Sequence, residues 1–102
     1  MSIKNGDFYN VHNTIDDNSL DVLHIDIANN GDVIQFTFDN YIQKLKHDGV
    51  LIIEGGSIER DNVEWMLKYN KPQINSVLQQ YKTKYKIITI GDIPSITLIK
   101  RF

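Results

Sequence analysis

Two carboxylates stand at the ends of apolar runs, where a parallel sheet would place its ligand-binding edge. Asp26 follows the run 22–25, and Glu54 follows the run 50–53. Parallel strands bring their carboxyl ends to one edge of a sheet, and ligands of open α/β sheets bind beyond that edge. We therefore predict that Asp26 and Glu54 lie side by side on adjacent strands, and they are the candidate catalytic residues of the chain.

Two neighbouring carboxylates can bind a cation or share a proton. The alternative is that both are hydrated acids at the rim of the sheet, with Asp26 capping the turn that follows it. His24 lies on the same strand face as Asp26, and we expect it to be buried and hydrogen-bonded rather than a ligand or a base. No three side chains have the spacing of a metal site or a catalytic triad, so no metal site is predicted.

The elements that would position these residues follow from the apolar pattern. Residues 20–27 read as a strand covered on both faces, and residues 50–53 read as a second, fully apolar strand. Between them, apolar residues recur with a helical period, which predicts a helix over about 32–47 that Gly49 ends. The polar turn 29–32 before this helix has the residue types of a helix cap.

The second half of the chain predicts two more helices and a hairpin. Ser57 can cap one helix, and residues 73–81 form another. The strands 85–91 and 95–102 are joined by a short Gly/Pro turn, which favours an antiparallel pair. This order of elements indicates an α/β fold with a parallel crossover first and a hairpin last.

The composition limits the classes of function. A chain of 102 residues forms one domain, here 1–102, and its net charge of −2 gives no sign of nucleic-acid binding. No stretch approaches the length of a membrane span, and the first residues lack the apolar core of a signal peptide. The absence of cysteine excludes disulfides and thiolate zinc sites. It is compatible with the cytoplasm, which is the location we expect.

One segment resembles a known family. It reads Asp-Val-Leu-His-Ile-Asp (21–26), a loop, an expected helix that ends Leu-Lys-His-Asp-Gly (45–49), and then Val-Leu-Ile-Ile-Glu (50–54). This resembles the C-terminal half of a class I S-adenosylmethionine-dependent methyltransferase. The resemblance implies a partial Rossmann-like sheet in two or three layers, with strands equivalent to 4-5-7-6 of the family order 3-2-1-4-5-7-6. It also implies that Asp7 lies near the adenine of the cofactor and that Asp26 orients the methyl acceptor.

The chain departs from the family in ways that limit this expectation. The 102 residues hold neither the glycine-rich loop that cradles the cofactor nor the acidic residue that would bind its ribose. Metal-dependent members carry an Asp and a His where this chain has Ala28 and Asn29, so the resemblance does not extend to a metal-dependent reaction.

We therefore expect the C-terminal part of a methyltransferase, inactive by itself and using S-adenosylmethionine only in a longer protein. One alternative is a natural half-domain that serves as a non-catalytic interaction or oligomerisation module. The other is an accidental similarity between strand patterns.

The strand 20–27 would carry an apolar and unpaired edge if the first three strands of the family sheet are missing. Such an edge is an aggregation hazard. Residues 7–15, a second copy of the chain or the rest of a longer protein could cover it. We predict self-association or a swapped arrangement through this edge, to be measured by size-exclusion chromatography with multi-angle light scattering. A strictly monomeric chain would contradict the prediction unless residues 7–15 pair with the edge.

Overall fold

The computed structural model of this chain describes residues 8–102. The α-helices in this range are α1 Phe8–Val11, α2 Gly31–Asn40, α3 Ile58–Asp61, α4 Glu64–Lys68 and α5 Ile74–Tyr81. The strands are β1 Leu20–Ile25, β2 Leu45–Glu54, β3 Tyr85–Gly91 and β4 Ser95–Arg101. Short 3₁₀ turns follow the first two helices, at His12–Thr14 and Ile42–Lys44.

The four strands form one mixed sheet in the order β1-β2-β4-β3. Strand β1 runs parallel to β2, and Ile25 lies opposite Ile53. Strand β4 is antiparallel to both of its neighbours, and Glu54 of β2 lies opposite Ile96. The predicted α/β fold with a C-terminal antiparallel pair is confirmed.

Side-chain caps set where the two longest helices begin. The side chain of Asn30 accepts hydrogen bonds from the amides of Asp32 and Val33 at the start of α2. The carboxylate of Asp61 accepts from the amides of Ile74 and Asn75, at 2.8 and 2.9 Å, at the start of α5. Each cap satisfies amide donors that have no partner within the helix.

The core lies between one face of the sheet and the helices α2 and α5. Apolar side chains from both layers are buried in a single cluster: Ile25, Val33, Ile34, Phe38, Ile42, Leu45, Leu51, Ile53, Ile74, Val77, Leu78 and Ile99. The opposite face of the sheet carries exposed apolar side chains, among them Ile88 and Ile90. Within residues 8–102 the fold therefore has two layers.

The prediction of a helix over 32–47 is wrong at its C-terminal end. Helix α2 ends at Asn40, and the chain already pairs with β1 at Leu45, opposite Leu20. Gly49 does not stop a helix. A Cβ atom at Gly49 would lie 2.9 Å from the carbonyl oxygen of Leu20, so this glycine permits a close approach of two backbones within an irregular part of the sheet.

Two further boundaries differ from the prediction. Strand β1 ends at Ile25 rather than at residue 27, and the segment after Ser57 is divided into α3 and α4. Residues 8–14, ahead of β1, form helical turns rather than a strand, and the Tyr41 hydroxyl donates to the carbonyl of Phe8. Among residues 8–102, therefore, no strand pairs with the outer edge of β1.

Two leucines on helices test the position of the core. Leu78 is 1% exposed on α5 and Leu67 is 63% exposed on α4. We expect Leu78→Ala to lower the free energy of unfolding by about 2–5 kcal/mol, because it leaves a cavity in the core. The control Leu67→Ala should change it by no more than about 0.5 kcal/mol. Urea denaturation measures both values, and equal effects would contradict this packing.

Candidate functional site

Asp26 lies directly after β1, at the carboxyl edge of the sheet. The register that pairs Ile25 with Ile53 brings Asp26 and Glu54 to this same edge, as the sequence predicts. The side chain of Asp26 is exposed, and no hydrogen bond or ion pair with any residue in the range 8–102 holds it. Its carboxylate is therefore available to accept hydrogen bonds from a ligand or to attract a cation.

Glu54 is engaged in a two-point ion pair with Arg60. The Nε and Nη2 atoms of Arg60 donate to the two carboxylate oxygens of Glu54, each at 2.8 Å. Arg60 is buried and Glu54 is partly buried. A planar guanidinium matches a carboxylate in this geometry, and the paired charges hold each other in place. This ion pair gives Glu54 a structural role, whereas the catalytic role of the two acids stays a prediction.

Two glycines direct Arg60 to this place. Gly55 and Gly56 follow β2 with φ angles of +99° and +114°, a backbone conformation that favours glycine. Ser57 then caps α3 by accepting a hydrogen bond from the amide of Arg60 at 3.0 Å. A Cβ atom at Gly56 would lie 2.0 Å from the hydroxyl of Thr97. The Gly-Gly pair is therefore a tightly packed turn rather than an open loop for a phosphate.

Asn29 ties the ends of β1 and β2 together. Its buried amide nitrogen donates to the carbonyls of Ile25 at 3.2 Å and Glu54 at 2.9 Å. The main-chain carbonyl of Asn29 accepts a hydrogen bond from Nη2 of Arg60 at 3.1 Å. The guanidinium of Arg60 also lies 5.2 Å from the ring centroid of Trp65, a distance at which cation and ring attract each other. The loop that carries Asp26 is thus fixed at its far end by Asn29 and Arg60.

A groove of about 400 Å³ runs along the outer side of β1. Its lining includes Phe8, Val11 and Ile15 from the N-terminal segment and Val22, His24 and Asp26 from the β1 region. The prediction that His24 is buried is wrong, because its face of the sheet has no covering layer in the described part of the chain. A mainly apolar groove with an imidazole and a carboxylate on its rim suits a ligand with one polar end.

The described residues hold neither a metal-ion site nor a membrane-spanning helix. Between residues 8 and 102, no three His, Asp or Glu side chains are grouped so that they could hold a metal ion. None of the helices in the same range is long and apolar enough to cross a membrane. The predicted cofactor residue Asp7 lies outside the described residues, and its role stays a prediction.

The main residue that sequence reasoning missed is Arg60, and replacing its partner tests its role. We expect Glu54→Gln to lower the free energy of unfolding by about 2–3 kcal/mol, because it leaves a buried cation without its counter-charge. The effect is smaller than for a fully buried pair because the Glu54 side chain is 31% exposed. Asp26→Asn, the matched control at the same edge, should change stability by no more than about 0.5 kcal/mol. Urea denaturation gives the free energy of unfolding of each variant, and equal values for the two would refute the structural role of Glu54.

Comparison with models of known protein families gives no match, and neither does comparison with curated protein sequences or with solved structures.

Proposed function

We propose that this chain is the C-terminal part of a class I S-adenosylmethionine-dependent methyltransferase domain. The observation that carries the proposal is the strand order β1-β2-β4-β3, with β1 parallel to β2 and β4 inserted antiparallel between β2 and β3. Strands 4-5-7-6 of the family sheet have this order and these directions.

The open edge of β1 supports the same proposal. Within residues 8–102, β1 has a hydrogen-bonded neighbour on one side only. In the family sheet the equivalent strand is an interior one, so a preceding half of the domain would pair with it. The groove lies on this outer side, with Asp26 on its rim. The proposed role of Asp26 is to accept a hydrogen bond from the methyl acceptor and so to orient it.

The described residues do not fit the cofactor by themselves. The groove is walled by β1 and by the N-terminal segment, and its lining contains neither a glycine-rich turn nor an acidic residue besides Asp26. Asn29 stands where metal-dependent members hold a ligand, but here its amide nitrogen bonds two backbone carbonyls. We therefore propose no catalytic step for the 102 residues alone.

Calorimetry with S-adenosylhomocysteine tests this proposal. We expect no binding to the 102-residue chain, because the residues that hold the cofactor would lie in the preceding half. Tight binding to these residues alone would overturn the half-domain interpretation.

The reading frame that contains these 102 codons gives the second test. We expect an in-frame upstream segment that encodes a glycine-rich strand–loop–helix, and a longer protein that binds S-adenosylhomocysteine. Asp26→Asn in that protein should retain cofactor binding and lose methyl transfer, with the exposed Asp32→Asn as the matched control. A longer protein that lacks such a segment would contradict the proposal.

A second candidate is a non-catalytic interaction or oligomerisation module, which the open edge and the exposed apolar face of the sheet favour. It predicts that Asp26→Ala leaves the folding and the association of the protein unchanged. It also predicts that no form of the protein binds the cofactor. Both functions predict no binding to the 102 residues alone, so calorimetry on the longer protein separates them.

A further inference from the structure

The face of the sheet opposite the helices has an apolar centre. It carries alternate residues of all four strands, and we call the following set the open face: Val22, Val50, Ile52, Ile88, Ile90, Ile96 and Leu98. Ile88 and Ile90 are each 59% exposed, Val22 is 50% exposed and Ile96 is 48% exposed. Large side chains are rarely exposed together in this way unless they contact another molecule.

The strand pairing makes the open face continuous. Val22 lies opposite Val50, Ile52 lies opposite Leu98, and Leu98 also lies opposite Ile88. Ile90 lies opposite Ile96 at the end of the sheet near the β3–β4 turn. The apolar surface thus crosses the sheet from one edge strand to the other, and it has the shape of one inner face of a β-sandwich.

Along β3 and β4, the two ends of this face carry opposite charges. At one end Lys86 lies directly opposite Lys100, and neither forms an ion pair within residues 8–102. Like charges in this position repel each other. At the other end the β3–β4 turn carries the exposed Asp92. An anionic group beside the two lysines would relieve their repulsion, and the chain itself has such a group at the far end of the face.

We propose that the open face binds the open face of a second copy of this chain. The two sheets pack face to face around a two-fold axis that lies between them, parallel to both sheets and perpendicular to the strands. This rotation reverses the strand direction while it keeps β3 over β3. Lys86 and Lys100 of each copy then lie over the partner's Asp92, so the charge pairing occurs twice.

The alternative two-fold axis, along the strands, is disfavoured by charge. It would superpose the two acidic ends and place β3 over the partner's β1, which brings Asp92 towards the partner's Asp26. Like charges that face each other across an interface repel and suppress the wrong arrangement. The charges therefore select one of the two aligned packings of the same apolar surface.

This interface differs from pairing through the outer edge of β1. Its most exposed residues, Ile88 and Ile90, lie on β3, which is the opposite edge strand. The inference does not rest on the proposed methyl transfer, since it involves no cofactor and the open face shares only Val22 with the lining of the groove.

Sedimentation velocity of the 102-residue chain over a dilution series tests the proposal. We expect a dimer, and we expect the double variant Ile88→Thr/Ile90→Thr to be monomeric. Threonine is β-branched and suits a strand, so the fold should be retained, as circular dichroism can verify. The control is Ile58→Thr, which replaces a 64% exposed isoleucine on α3 and should leave the dimer intact. A monomeric wild-type chain, or a dimer that survives the double variant, would overturn the proposal.

The charges provide a test that leaves the apolar side chains unchanged. Lys86→Glu/Lys100→Glu should raise the dimer dissociation constant at least about tenfold, because the new carboxylates face the partner's Asp92. Adding Asp92→Lys to this variant should restore dimerisation. If the triple variant stays monomeric, the proposed two-fold axis is wrong and the proposed dimer is overturned. This test does not depend on whether the threonine variant folds.

Discussion

The burial of one face of the sheet and the exposure of the other is the constraint on which the rest of the structure depends. The crossover helix α2 and the helix α5 both contribute to the core on the same face, with Leu51, Ile53 and Ile99 beneath them. In residues 8–102, the buried apolar side chains of the sheet therefore lie on one side. A sheet with one apolar face left in water loses much of the hydrophobic stabilisation that its sequence could supply.

The elements that sequence reasoning placed correctly have local signals. The β3–β4 hairpin follows from two alternating runs around a Gly/Pro turn, and α5 follows from apolar residues at helical spacing. The start of α2 follows from Asn30, whose side chain bonds amides two and three residues further on. In each case the residues that determine the structure are close in sequence, so the local pattern predicts the element without any contact from distant residues.

The elements that it placed wrongly depend on residues distant in sequence. The apolar spacing that defines α2 continues to Leu45, but Leu45 joins the sheet because Leu20 is available to pair with it. Pairing between strands overrides a helical period that is only local. The exposure of His24 likewise depends on what covers its strand face, which the strand's own residues do not encode. Arg60 was missed since a single arginine in a helix gives no sign that it will reach Glu54.

The different environments of Asp26 and Glu54 follow from their places in the sheet. Glu54 ends an interior strand, and the chain returns across that strand end in α3, which brings Arg60 to its carboxylate. Asp26 follows the edge strand, and no described strand pairs with the outer side of that strand. The carboxylate left without a counter-charge is therefore the one beside the unpaired edge. In the proposed longer domain, a segment that paired with the outer edge of β1 would also lie against the groove beside Asp26. The same segment would then complete both the sheet and the proposed binding site.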